Sequence, residues 1–331
     1  MTIRPSLTEL ALRSRRALII GVGGGGDVIQ SIPVANHLRL LGVGEILVGG
    51  VGSCWWMPDG HPVSQDASAM TYGPIVFDVT ELTDSQPWTK QIVGVSSSSH
   101  WHGRQPAEAV LADRLGGTPF VAGLTHGAAG LRDNLRQLVA ERGIDLVVGV
   151  DIGSDSFHDG TETLGAQTSL IDFLSIGALS QLDVPVVYAL AGYGADGEMQ
   201  IEELDARVSR VMAAGGFLGA IGLTQRDVVE MLDACALYPD PIEHYAALAA
   251  RGEFGLRRVQ TCTPWGIPVR ITPMAAMILF FDPAVMIEQA CRGVAALRHT
   301  TSLAEAERIY AEELGELPET RLAPVIRFMR S

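Results

Sequence analysis

The stretch from Arg16 to Val51 constrains this chain more than any other. Ala17, Leu18, Ile19 and Ile20 form a continuous apolar run ending in glycine, which is how a strand buried on both faces reads. The run Gly21-Val-Gly-Gly-Gly-Gly-Asp27 follows. Beyond it Val28, Ile32, Ala35, Leu38 and Leu41 recur at three- and four-residue spacing. Asp27 to Leu41 therefore reads as an amphipathic helix with Asp27 as its N-cap. Glu45–Val51 is a second strand. Strand, helix and strand with short joints make a βαβ unit, whose right-handed crossover implies a parallel sheet.

The alternation continues with strand Thr118–Leu124, helix Ala128–Arg142, strand Ile144–Val150, helix Leu164–Gln181, strand Val184–Leu190 and helix Glu202–Ala214. This pattern predicts an α/β fold: a doubly wound, mostly parallel, Rossmann-like sheet with helices on both faces. The remainder, from Thr224, reads as a C-terminal α+β elaboration. It comprises helices Arg226–Leu237 and Ile242–Arg251, strands Arg257–Gln260, Ile267–Ile271 and Met277–Phe281, and closing helices Pro283–Leu297 and Ser302–Leu314. With no repeat or linker, the expectation is one domain over residues 1–331, with a core at 16–223 and the elaboration at 224–331. Two irregular loops, Gly52–Gly73 and Ser96–Gln105, interrupt the rhythm. Long irregular loops in compact domains are commonly functional.

Charge narrows the partners. The chain carries 24 basic and 38 acidic residues, a net charge of −14, and no basic cluster. A nucleic-acid binder needs a cationic stripe to displace counterions, so nucleic acids are excluded, and anionic membranes by the same argument. The longest apolar run, Met274–Phe281, is far short of the roughly 20 residues a membrane span needs. Met1–Arg16 contains no apolar core of a signal peptide. Cys54, Cys235, Cys262 and Cys291 form no C-x-x-C pair, so neither a zinc cage nor a disulfide framework is expected. The expectation is a cytoplasmic protein with a small-molecule substrate, homo-oligomeric on base rates.

Three strand-end segments carry the candidate chemistry. In the first, Gly23, Gly24, Gly25 and Gly26 lack the Cβ that would keep a ligand from the backbone, so successive amides can meet an anion beside Asp27. The turn has no Gly-Lys-Ser/Thr and is no Walker loop, whereas Gly21-x-Gly23-x-x-Gly26 fits dinucleotide spacing by letter alone. The second segment, Val150 to Glu162, brings Asp151, Asp155, Asp159 and Glu162 to the end of a strand, where ligands of open α/β sheets bind. Such carboxylates could bind hydroxyls, hold Mg²⁺ through Asp151 and Asp155, or supply a general base. The bland alternative is that they cap turns. The third, Gly192–Glu198, adds Asp196 and Glu198 in the same position relative to the sheet. His100 and His102, in the second irregular loop, are candidates to close over the site as acid or base. The i, i+2 spacing can share a metal only if the segment is extended. Trp55 and Trp56 could stack on a ring or plug a loop.

Taken together, Gly23-Gly-Gly-Gly-Asp-Val-Ile with Ile32-Pro33, Gly149-Val-Asp-Ile-Gly-Ser-Asp155 and Gly194-Ala-Asp-Gly-Glu198 resemble the prokaryotic family known as domain of unknown function 1152. The similarity runs from about Arg16 to about Phe281. It implies a Rossmann-like fold and no settled reaction.

The functional expectation is an enzyme acting on a nucleotide-like, ribosyl or phosphorylated metabolite by transfer, hydrolysis or lyase chemistry. In it the glycine turn holds the anionic end, and Asp151, Asp155, His100 and His102 act in catalysis. One alternative is an NAD(P)- or flavin-dependent oxidoreductase, argued from the glycine spacing alone. Another is a non-catalytic metabolite-binding protein.

Overall fold

The computed structural model describes residues 3–55, 74–163, 169–238, 242–259 and 267–321. In chain order its strands are β1 (Arg16–Gly21), β2 (Glu45–Val51), β3 (Ser53–Trp55), β4 (Pro74–Val76), β5 (Gln86–Pro87), β6 (Ile92–Gly94) and β7 (Phe120–Ala122), then β8 (Leu146–Ile152), β9 (Val186–Ala191), β10 (Phe217–Gly222), β11 (Gly255–Val259), β12 (Ile267–Ile271) and β13 (Met277–Phe281). Among the described residues nine strands form one sheet in the order β10-β13-β9-β8-β1-β2-β7-β6-β5. Its middle, β9 to β7, is parallel. β13 is antiparallel to both β9 and β10, and β6 to both β7 and β5.

Each face of the sheet has its own core. Leu18, Ile20 and Val22 pack with Leu131 and Leu135 of helix Gly127–Arg142 and with Phe173 and Leu174 of helix Ser169–Leu179. On the other face Ala17 and Ile19 meet Val34 and Leu38 of helix Ser31–Leu40 and Met231 of helix Gln225–Leu237. Burying each large aliphatic side chain contributes roughly 1.5–3 kcal/mol, which explains why β1 and β8 are almost wholly apolar and buried on both faces.

The doubly wound, mostly parallel sheet agrees with the sequence reading. Some boundaries differ. The segment after the glycine turn opens with a 3₁₀ turn, Asp27–Gln30, before the α-helix Ser31–Leu40. Asp27 is not an N-cap: its side chain turns back toward Gly23. Phe217–Gly222 is a strand where alternation gave no signal, because its burial is interrupted and it pairs only with β13. β13 lies in the central sheet, whereas β11 and β12 form a separate hairpin. Pro283–Leu297 is two helices, Pro283–Gln289 and Arg292–Leu297. In the first irregular loop, residues 53–55 pair with 74–76. Trp56 and the rest of that loop lie outside the described residues, as do the first residues of the expected helix Leu164–Gln181.

The topology fixes where a site can lie. From β1 the chain moves to β2 on one side, while β8 joins β1 on the other. Loops leaving the ends of β1 and β8 diverge there and open a crevice at the carboxyl rim of the sheet. The glycine turn leaves β1 at this rim, and Asp151 is the penultimate residue of β8.

Candidate functional site

Four buried aspartates meet at that crevice: Asp27 from the glycine turn, Asp151 from β8, Asp155 from the following 3₁₀ turn, and Asp172 from helix Ser169–Leu179. One carboxylate oxygen from each of Asp27, Asp151 and Asp172 lies within 4.8 Å of the other two. Among the described residues, none of these three forms an ion pair with a basic side chain.

The local sequence explains the convergence. Asp27 accepts the Gly23 N–H at 2.6 Å. A Cβ on Gly23 would lie 2.9 Å from oxygens of both Asp27 and Asp172, so only glycine lets the two carboxylates close on the backbone here. Helix Ser169–Leu179 is held against the same turn by Ser175, whose hydroxyl donates to the Val22 carbonyl at 2.7 Å. Asp172 and Ser175 are one helical turn apart and share that face. At the far end of the helix's approach, Glu319 accepts the N–H groups of Leu170 at 3.2 Å and Ile171 at 2.7 Å.

Asp151 is the best-solvated of the four by protein groups. Its Oδ2 accepts Tyr188 Oη at 2.7 Å and the Ser156 hydroxyl, and Tyr188 Oη lies 2.7 Å from Ser156 Oγ. Burial raises its pKa, while the bonds from Ser156 and Tyr188 pull it back down. Burial, then the neighbouring carboxylates, push Asp27 and Asp155 well above the usual carboxylate range. Burial raises Asp172 likewise, followed by the charges of Asp151 and Glu319. Asp172 is hydrogen-bonded to both Asp151 and Asp155. Carboxyl groups this close repel one another unless a proton or a cation lies between them.

The remaining candidates separate into groups. Asp196 accepts the Ser154 N–H and hydroxyl at 2.9 Å and fixes the turn after β8; burial lifts its pKa to about 6. Glu198 is buried beside it, and its charge acts on Asp155 and Asp172. Asp159 and Glu162 do something different. Arg207 Nη2 donates to Asp159 at 2.6 Å and to Glu162 at 2.9 Å, and Glu162 also accepts the N–H groups of Asp159 and Gly160. These two acids are neutralised and anchor the loop to helix Ile201–Ala213.

His100 and His102 do not join the cluster. β6 runs antiparallel to β7, so the chain leaves Gly94 at the opposite rim, and the loop then turns back until Trp101 stacks on Phe77, whose N–H donates to the Gly52 carbonyl. His100 then pairs with Thr83, and His102 Nε2 lies 3.5 Å from Glu81 and edge-on to Trp101. Trp55 belongs to β3; the described structure does not extend to its side chain.

Sequence reasoning missed Asp172, Ser156, Tyr188 and a buried histidine, His158. Asp172 had a signal: it is the sole charged residue in the wholly buried helix SLIDFLSIGAL. A lone carboxylate carried into an apolar helix is costly unless something compensates it. His158, with Nδ1 2.5 Å from Ser169 Oγ, is held neutral by burial, its pKa near 4.

Carboxylate oxygens as the sole charged ligands suit hard divalent cations such as Mg²⁺, Mn²⁺ or Ca²⁺. Such a cation would offset the mutual repulsion of Asp27, Asp151 and Asp172 and leave coordination positions for a substrate oxygen. No described helix is long and apolar enough to cross a membrane. Residues 18–321 match the family described as "Protein of unknown function (DUF1152)", and the chain belongs to it. The match continues some way past Phe281, through the closing helices. No curated protein and no solved structure matches the chain.

Proposed function

We propose that this member of the DUF1152 family is a divalent-cation-dependent enzyme acting on a phosphorylated, nucleotide-like or ribosyl small metabolite. The observation that carries the reading is the trio Asp27, Asp151 and Asp172, with ligand oxygens within 4.8 Å of one another beside a glycine turn at the carboxyl rim of the sheet. An anion alone is a poor guest at this turn, because the carboxylates of Asp27 and Asp172 crowd Gly23. A cation between them reverses the local field. A phosphoryl oxygen can then complete the cation's shell while the rest of the group lies against the glycine amides.

The residues divide the work. Asp27 and Asp172 hold the cation from two elements. Asp151, fixed by Tyr188 and Ser156, is the third ligand and the carboxylate best prepared to stay ionised. Asp155, hydrogen-bonded to Asp172, is the group positioned to take or return a proton. The cation supplies charge stabilisation for a developing oxyanion, which serves transfer, hydrolysis and elimination alike. The small molecule, the cytoplasmic setting and a homo-oligomeric state complete the reading.

The test is a turnover screen of nucleotides, sugar phosphates and ribosides with Mg²⁺ or Mn²⁺ and with chelator, run beside Asp172→Asn. Expected is cation-dependent turnover of one class and its loss in the variant. Equal turnover in chelator, or full activity in Asp172→Asn, would remove the cation from the reaction.

A further inference from the structure

The four amides of the glycine turn are not equivalent. The Gly23 N–H is taken by Asp27 and the Gly25 N–H by the carbonyl of Ser53, at 3.1 Å. Among the described residues the N–H groups of Gly24 and Gly26 have no hydrogen-bond partner. The two committed amides fix the turn and alternate with two that have no partner among the described residues.

A third donor stands beside them. Ser53 follows β2, is 3% exposed, and its Oγ is buried without a hydrogen-bond partner. Buried hydroxyls are almost always satisfied, so an orphan is a signal of something missing. Its position is specific. Gly24 adopts φ +87°, and a Cβ there would lie 2.6 Å from Ser53 Cβ and 2.7 Å from Ser53 Oγ. The hydroxyl thus packs directly on the Cα of the residue whose amide is uncommitted. Rotation about χ1 lets that hydroxyl follow an oxyanion that accepts the Gly24 N–H.

Resting on the cation-dependent reading above, we infer that Ser53 Oγ and the amides of Gly24 and Gly26 form the phosphoryl subsite of this protein. The subsite lies on the β2 side of the turn, and the cation on the β8 side. Ser53 is a binding residue for the phosphoryl group, by one hydrogen bond from its uncharged hydroxyl that leaves the cation ligands untouched. Because the carboxylates lie next to the same turn, phosphate binding requires the cation.

The experiment uses the full chain, Mn²⁺ and inorganic phosphate. Free Mn²⁺ is followed by electron paramagnetic resonance, and phosphate by the broadening of its ³¹P resonance near bound Mn²⁺. Wild type should bind phosphate only when Mn²⁺ is present. Ser53→Ala should weaken phosphate about tenfold, the size of one lost hydrogen bond to a charged group, with Mn²⁺ affinity within about twofold of wild type. Ser53→Asp, which places a negative charge at the subsite, should abolish phosphate binding. Thermal melting confirms that each variant is folded. Unchanged phosphate affinity in Ser53→Ala overturns the subsite and leaves the cation reading standing. Mn²⁺ bound without phosphate overturns the subsite and the phosphorylated substrate together. If wild type binds no Mn²⁺, the functional reading itself falls, and this inference with it.

Discussion

The segment from the end of β8 to Glu162 contains two kinds of acid within a few residues of each other. Its outer half, Asp159 and Glu162, is paired with Arg207, with Arg210 adding a longer contact at 3.4 Å, and takes backbone N–H groups as well. Its inner half supplies Asp151 to a trio in which no described basic side chain forms an ion pair. One half shows how this protein compensates acids it wants only for structure. The other shows acids drawn together and left uncompensated, which is worth its energetic cost only if a further charge arrives.

The largest effect should come from breaking the compensated half. The Glu162 side chain is fully buried and that of Arg207 is 10% exposed. Arg207→Ala strands two carboxylates, and loss of one partner from a buried pair typically costs about 3–5 kcal/mol. Denaturant unfolding should show a loss of that size. A loss near zero would mean that water already solvates these acids and the contrast between the two halves is false.

The inner half should respond in the opposite sense. Without cation at pH 8, Asp172→Asn should melt above wild type, because the amide removes a charge from a crowded apolar site. Adding Mn²⁺ should stabilise wild type by about 2.7 kcal/mol at a free concentration about one hundred times Kd, and should move the variant hardly at all. Differential scanning fluorimetry reads both. A lower melting temperature for cation-free Asp172→Asn would place Asp172 among the structural acids instead.

The pH dependence sharpens the contrast without mutation. Burial raises Glu108 to about 8 and Glu319 to about 7, so the folded chain holds these protons more tightly than the unfolded one. Their contribution to stability is complete below the unfolded carboxylate pKa, near 4.3, and is lost as pH rises through the folded values. The metal-free protein should therefore lose melting temperature between pH 5 and pH 8. Cation binding displaces protons from the aspartates and should strengthen over the same interval. A melting temperature that climbs from pH 5 to pH 8 without cation would contradict the first statement, and a Mn²⁺ affinity that does not rise over that interval would contradict the second.

Much of this arrangement could be read from sequence, and the reason lies in what sequence patterns encode. The apolar run Ala17–Ile20, the glycines and the helical spacing after them specify β1, the turn and its rim; that β8 pairs with β1 was not legible, because alternation of elements does not fix strand order. Asp151 and Asp155 were visible because acids at a strand end sit where loops gather. Asp172 was hidden because it comes from the middle of a helix, and only tertiary packing brings that face to the turn. Asp159 and Glu162 looked like their neighbours because their neutralising partner, Arg207, lies far along the chain in helix Ile201–Ala213. A spacing rule sees ligands and their local order; it does not see which of them a distant arginine has already claimed.

The smallest expected effect concerns the histidines, and it tests whether the aspartates act without them. His100 and His102 lie in the loop after β6, which turns back to stack Trp101 on Phe77, whose N–H donates to the Gly52 carbonyl. Their contacts are with Thr83, Glu81 and Trp101. His100→Ala and His102→Ala should therefore leave Mn²⁺ affinity within about twofold of wild type, the scatter expected of sites with no shared partner. A tenfold loss from either would mean that the loop reaches the aspartates in solution, and a histidine would then compete with Asp155 for the proton-transfer role. Carrying the measurement through with phosphate present decides whether that reach depends on an occupied site. If both variants remain silent under both conditions, the aspartates and the glycine turn have to account for the chemistry without them.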